Sequence, residues 1–328
     1  MNSFLFAISA VAPIMIMVAI GYLLKKIKLA NADIAKALNR LVFRVFLPCM
    51  LFLNVYKMDS IGEIDLGYVA YALIVLLVIF ALGIPCVMLV TKQGARRGVL
   101  LQAVFRSNYA LIGIPLAQSL FGEEGLAIAT LLSAAAIPAF NILAVISLSV
   151  FRDGEQTVSV KKILLGIVKN PLILSVLAGI VALGIRALFI RAGISFRLAD
   201  VKPVYTVLGY LSNLATPLAL LVLGIQFEFS AVKEMKKEIL FGTLARTVLA
   251  PALAIGIAFL FLKEQFSGAH FAAFVAMFAT PVAVSSVPMA QEMKGDASLA
   301  GQLVVWTTLA SALSVFFASW LLKLAGVF

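Results

Sequence analysis

Apolar residues run through this chain in blocks of about 20, the length that carries a helix across a hydrocarbon core. Ten blocks can be counted, at approximately 5–24, 34–56, 67–90, 99–121, 126–150, 163–186, 205–227, 239–262, 269–292 and 298–322. Short polar loops separate them, and no alternation of strand period competes with the helical reading. The pattern predicts an all-α integral membrane protein with ten transmembrane helices.

Two of the blocks are interrupted alike. The first contains Ser107-Asn108-Tyr109-Ala110-Leu111-Ile112-Gly113-Ile114-Pro115-Leu116-Ala117-Gln118, and the second Thr280-Pro281-Val282-Ala283-Val284-Ser285-Ser286-Val287-Pro288-Met289-Ala290-Gln291. A shift of 173 residues lays Pro115 on Pro288, Ala117 on Ala290, Gln118 on Gln291, Gly122 on Gly295, Leu126 on Leu299 and Ala127 on Ala300, which predicts an internal repeat of about half the chain. Ten spans in two repeats leave five helices in each. An odd number turns the second repeat upside down in the bilayer, which is the inverted-topology arrangement. The division expected is a first repeat over 1–152, a linker over 153–162 and a second repeat over 163–328.

Proline and small polar residues inside an apolar span are costly in lipid. Pro115 and Pro288 cannot donate to the carbonyls of Leu111 and Val284, four residues earlier, and hydrocarbon offers no replacement. Such breaks survive where the backbone is buried in protein or lines a cavity, and paired breaks in two halves of a membrane protein point to a transporter's binding site.

Composition agrees: 63% of the residues are hydrophobic, 12% are charged and the mean hydropathy is +1.11. The excess of 26 basic over 15 acidic residues gives a net charge of +11. It gathers in short loops, which argues for membrane topology and lipid contact and against nucleic acid. The loops after spans one, three, five and seven hold Lys25, Lys26, Lys28; Lys92, Arg96, Arg97; Arg152, Lys161, Lys162; and Lys233, Lys236, Lys237. This places those loops in the cytoplasm and both termini outside the cell membrane, with the loop bearing Arg191, Arg197 and Lys202 as the exception. Cys49 and Cys86 lie inside apolar spans and predict no disulfide.

Several strings, in order, carry a resemblance: Gly21-Tyr22-Leu23-Leu24-Lys25-Lys26, Leu38-Asn39-Arg40-Leu41-Val42-Phe43 with Leu47-Pro48, and Ser107-Asn108 with Gly113-Ile114-Pro115-Leu116 and Phe121-Gly122. Asn170-Pro171-Leu172 and the pair Arg246 and Pro251 complete it. Over essentially its whole length the chain resembles the auxin efflux carrier family, which includes plant auxin carriers and bacterial permeases for malate, malonate and related carboxylates. The resemblance implies crossing, broken helices four and nine, a scaffold bundle that often dimerises and a transport bundle that moves like an elevator. It also implies a substrate-binding asparagine just before the first crossover, which matches Asn108. The short linker is similar to the bacterial branch, whose members sit in the cytoplasmic (inner) membrane.

Half-helices beginning after Pro115 and Pro288 would turn free N–H groups toward the membrane centre and hold a carboxylate without a permanent lysine. Asn108 either donates to that carboxylate or satisfies the unwound turn beside it. Ser107, Ser285 and Ser286 are further candidate contacts, with back-bonding to their own helix as the alternative for Ser285 and Ser286. Gly113 suits a close backbone approach, and Pro281 deepens the second break. Gln118 and Gln291 form a symmetric pair expected to support the half-helix ends. Arg44, on a stripe with Lys36 and Arg40, and Arg246 are candidates for steering anions.

The acids Glu123, Glu124, Glu228, Glu292 and Asp296 fall at span ends and His270 at the start of span nine, so the coupling ion, Na⁺ or H⁺, stays open. No cofactor, metal motif or catalytic constellation stands out, which weighs against an intramembrane enzyme. The expectation is therefore a secondary carrier of small organic anions such as malonate, malate or an auxin-like acid. An anion channel and a non-transporting receptor are the alternatives.

Overall fold

The computed structural model describes residues 2–57, 66–151 and 169–328. The expected linker at 153–162, with its basic residues, and the start of the sixth span lie outside the described residues. Within them the regular elements are helical, apart from one isolated antiparallel bridge between Ser107 and Val282. Besides single turns at Leu198–Asp200 and Ala231–Glu234, they are in chain order α1 (Asn2–Lys26), α2 (Ala32–Tyr56), α3 (Leu66–Val90), α4 (Gly94–Phe105), α5 (Tyr109–Val150), α6 (Pro171–Arg191), α7 (Lys202–Gln226), α8 (Lys236–Leu262), α9 (Gly268–Phe278), α10 (Ser286–Glu292) and α11 (Ala297–Leu324). Seven of the described helices, α2, α3, α5, α6, α7, α8 and α11, are long and apolar enough to cross a membrane.

Proline shapes three of these helices in the same way. Wide π-type turns at Val42–Phe46, Tyr109–Gly113 and Ala245–Leu249 each end two residues before a proline, Pro48, Pro115 and Pro251. A proline removes one hydrogen bond and its ring presses on the carbonyl four residues back, and a locally widened turn relieves both. In α8 the carbonyl freed by Pro251 belongs to Thr247, and the Ser314 hydroxyl of α11 donates to it. The helix survives its proline because a neighbour supplies the missing donor.

The fourth and fifth expected spans meet without a loop. α5 bends sharply at Phe121 (φ −139°, ψ 24°) and Gly122 (φ 60°, ψ −147°), where the positive φ favours glycine. Its first segment belongs to the expected fourth span and its second to the fifth.

The helices form two groups. α1, α2, α6 and α7 pack on one another, and α3, α4, α5, α8, α9 and α11 make the second group, joined to the first chiefly where α1 meets α11. α9 runs through the second group, with every residue from Phe271 to Thr280 buried. An apolar helix without a polar face needs partners all round, and this position supplies them. Short α10 lies against α11, α4 and α2, so it touches both groups.

Candidate functional site

Two helices stop in mid-bundle and pass each other. α4 ends at Phe105 and α5 begins at Tyr109; α9 ends at Phe278 and α10 begins at Ser286. The breaks, 106–108 and 279–285, are stitched together by the Ser107–Val282 bridge and by the Asn108 N–H, which donates to the Pro281 carbonyl at 2.8 Å. At Gly113 α5 passes close to α9: a Cβ there would lie 2.8 Å from the Ala276 carbonyl oxygen and 2.6 Å from Tyr109 Cδ2. Pro115 stands in the first α-helical turn, which begins at Ile114 directly after the π-type turn, whereas Pro288 does not open its half-helix. Counting the π-type turn, Pro115 is six residues inside α5 and Pro288 is the third residue of α10, because the π-type turn absorbs the first and a tight turn the second. Val284, whose carbonyl Pro288 leaves free, accepts instead from the Val287 N–H at 3.2 Å.

Several backbone groups freed by the breaks find partners. Arg246 of α8, wholly buried, donates through Nε to Thr280 O (2.8 Å), through Nη1 to Phe105 O (3.0 Å) and through Nη2 to Met277 O (2.8 Å). Met277 is four residues before Pro281, so its carbonyl has no helical donor by construction. The Thr280 hydroxyl donates to Ala276 O at 2.7 Å, and the Val282 N–H donates to the Thr307 hydroxyl at 3.1 Å. Two helix C-termini, each equivalent to roughly half a negative charge, thus converge on one guanidinium. Arg246, a candidate for anion steering by sequence, is in the structure a clamp on the crossing.

Side chains at the same place are treated differently. The Ser107 hydroxyl, the Asn108 Nδ2 and the Ser286 hydroxyl are buried with no hydrogen-bond partner. Asn108 stands at the start of α5 but does not cap it, and its amide does not reach the unwound turn. Ser285 does not bond back to its own helix; its hydroxyl accepts from Arg106 Nη2 at 2.9 Å. Buried polar groups in native structures are nearly always paired; of the eight unpartnered buried side-chain atoms among the described residues, three fall at this crossing, and the others belong to Asn39, Gln102, Thr243 and Ser319.

Arg106 was missed by sequence reasoning, although it is the one charged residue in the span 99–121 and directly precedes Ser107-Asn108. It is 3% exposed, and its guanidinium meets Asn141 Oδ1 of α5 at 2.8 Å, the Ser285 hydroxyl and the thioether of Met289. The sequence reading of a carboxylate held without a lysine took no account of this arginine. Gln102, one turn earlier on α4, is buried with its Oε1 unpartnered.

Gln118 and Gln291 do not support the half-helix ends as a symmetric pair. Gln118 donates to Glu123 Oε1 at 2.9 Å on an exposed surface, whereas Gln291 accepts from Gln226 of α7 at 3.0 Å. Their equivalent positions face different neighbours, solvent in one copy and the other helix group in the other. Arg44 remains largely exposed, 3.8 Å from Glu292 at the end of α10. At the same end of the bundle Arg96 of α4 holds Asp296 at 3.0 Å and Glu238 at 3.1 Å. Burial opposes the Arg96 charge, but the hydrogen bonds it donates to Glu238 and Asp296, with their negative charges, outweigh it and lift its pKa above the ordinary value.

A sequence profile of the membrane transport protein family matches residues 6–319. The chain belongs to that family, the auxin efflux carrier type. It is 25% identical over 315 residues to an uncharacterised transporter of Methanothermobacter thermautotrophicus, covering 95% of this chain and 97% of that one. A second relative, an uncharacterised transporter of Methanocaldococcus jannaschii, is 26% identical over 249 residues, 74% of this chain and 75% of its own. As a member of a membrane transport family built from apolar helices, this chain is an integral membrane protein.

Proposed function

We propose that this family member is a secondary carrier of small organic anions, mono- or dicarboxylates such as malonate, malate or an auxin-like acid, which bind at the crossing of α4–α5 and α9–α10. The observation that carries the reading lies within the crossing: backbone bonds join the two breaks, while Ser107, Asn108 and Ser286 keep buried polar atoms without partners. A carboxylate accepts from amide and hydroxyl donors of this kind. Gly113, Pro115, Pro281 and Pro288 shape the two breaks around that point.

The architecture proposed with it is ten transmembrane helices in two inverted five-helix repeats, over 1–152 and 163–328, in the cytoplasmic membrane with both termini outside. The first helix group serves as scaffold and dimerisation face, and the second carries the anion across by an elevator-type movement. What supports this is the separation of the helices into two groups, with both breaks inside the second. Coupling to Na⁺ or H⁺ is part of the proposal and is read from the same assay.

The test is uptake of labelled carboxylates into proteoliposomes, with and without a sodium or proton gradient. Asn108→Ala is expected to raise the half-saturating concentration about tenfold or more, the scale of one hydrogen bond to a charged group. Unchanged half-saturation in a properly inserted Asn108→Ala protein rejects the site, and flux that never saturates favours a channel over a carrier.

A further inference from the structure

We propose that Arg106 is the charged anchor of the crossover site, its guanidinium receiving a carboxylate of the transported anion where it now touches the Met289 thioether and the Ser285 hydroxyl. This rests on the anion-carrier reading and adds the residue that sets the sign of the site.

A guanidinium buried to 3% exposure is among the least favourable groups to enclose unless an opposite charge meets it. Its three partners, Asn141 Oδ1, Ser285 Oγ and Met289 Sδ, are all neutral, and among the described residues no carboxylate pairs with it. A thioether is a weak acceptor, readily exchanged for a carboxylate oxygen. Around this charge stand the unpartnered groups: Ser107 and Asn108 follow Arg106 directly, and Ser286 follows its partner Ser285. Guanidinium, amide and two hydroxyls make a donor set without an acceptor charge, which suits a planar carboxylate gripped at two points by the guanidinium fork. Asn141 and Ser285 come from opposite copies of the repeat, so the anchor is held from both sides of the crossing.

The experiment measures the melting temperature of the purified full-length protein titrated with malonate, malate and the neutral analogue malonamide, for wild type, Arg106→Gln, Arg106→Lys and Asn141→Asp. Wild type is expected to be stabilised by the dicarboxylates and not by malonamide. Arg106→Gln is expected to need about 100-fold more malonate for the same shift, the scale of truncating one partner of a buried charge pair. Arg106→Lys should fall between, keeping the charge and losing the two-point grip. Asn141→Asp places a tethered carboxylate on Arg106; it should fold and lose its response to malonate, and this arm stands even if Arg106→Gln does not fold. An unchanged malonate titration in folded Arg106→Gln, or in Asn141→Asp, overturns the proposal while leaving the carrier reading intact. A wild type that ignores every carboxylate overturns both.

Discussion

Arg246 and Arg106 are both buried arginines at the crossing of the two broken helices, and their charges are answered in opposite ways. Arg246 faces three backbone carbonyls at the ends of α4 and α9, so the helix dipoles and its own charge offset one another. Arg106 faces an amide oxygen, a hydroxyl and a thioether, and its charge is left over. The first arrangement is complete without a ligand and reads as structure; in the second, on the proposal above, an anion supplies the opposite charge. Burial and residue type are the same at both positions, so neither could separate a structural arginine from a binding one. The partners do.

The largest effect is expected at the structural member of the pair. Arg246→Met keeps the volume but leaves the carbonyls of Phe105, Met277 and Thr280 without a donor, and a loss of about 3–5 kcal/mol is expected, on the scale of breaking a buried charged network. Detergent-solubilised protein should melt well below wild type or fail to elute as a single species. If Arg246→Met melts with wild type, the clamp is not what holds the crossing. If Arg106→Gln melts as low as Arg246→Met, the two arginines share one structural role and the comparison collapses.

Gly113 tests how tightly the clamp draws the helices together. A Cβ would sit 2.8 Å from the Ala276 carbonyl oxygen, so Gly113→Ala should push α5 from α9 and cost about 1–3 kcal/mol, with transport reduced in step. A fully stable Gly113→Ala protein would show that the crossing yields at this point.

Arg96 supplies a third way of answering a guanidinium, with real carboxylates: Asp296 and Glu238 tie α4 to α11 and α8 near the bundle end. Because this cluster is partly exposed, Glu238→Gln should cost only about 1 kcal/mol and the cost should shrink in high salt. Melting curves at low and high salt check this. A loss as large as that of Arg246→Met would mean that the cluster, and not the crossing, is the chief bond between these helices.

Much of the protein was legible along the chain. The apolar blocks anticipated the described helices, since a 20-residue hydropathy window captures what a helix needs in order to sit in lipid. The second break, at Thr280-Pro281, followed from proline chemistry, which is local; the first, at Ser107-Asn108, lies ahead of Pro115, whose missing bond the π-type turn absorbs. The family followed as well, from short strings spread along its length.

What the sequence could not determine is which polar residue answers which. Arg246 reaches carbonyls 31, 34 and 141 positions away, and Arg106 meets Ser285 across 179. Gln118 and Gln291 occupy matching places in the repeat, yet one meets its own helix and the other meets α7. Hydropathy and backbone propensity act over a few neighbouring residues and are written in the order of amino acids. Compensation of a buried charge acts through space, and only the tertiary structure decided that one arginine meets backbone carbonyls at two helix ends and the other meets neutral side chains beside them.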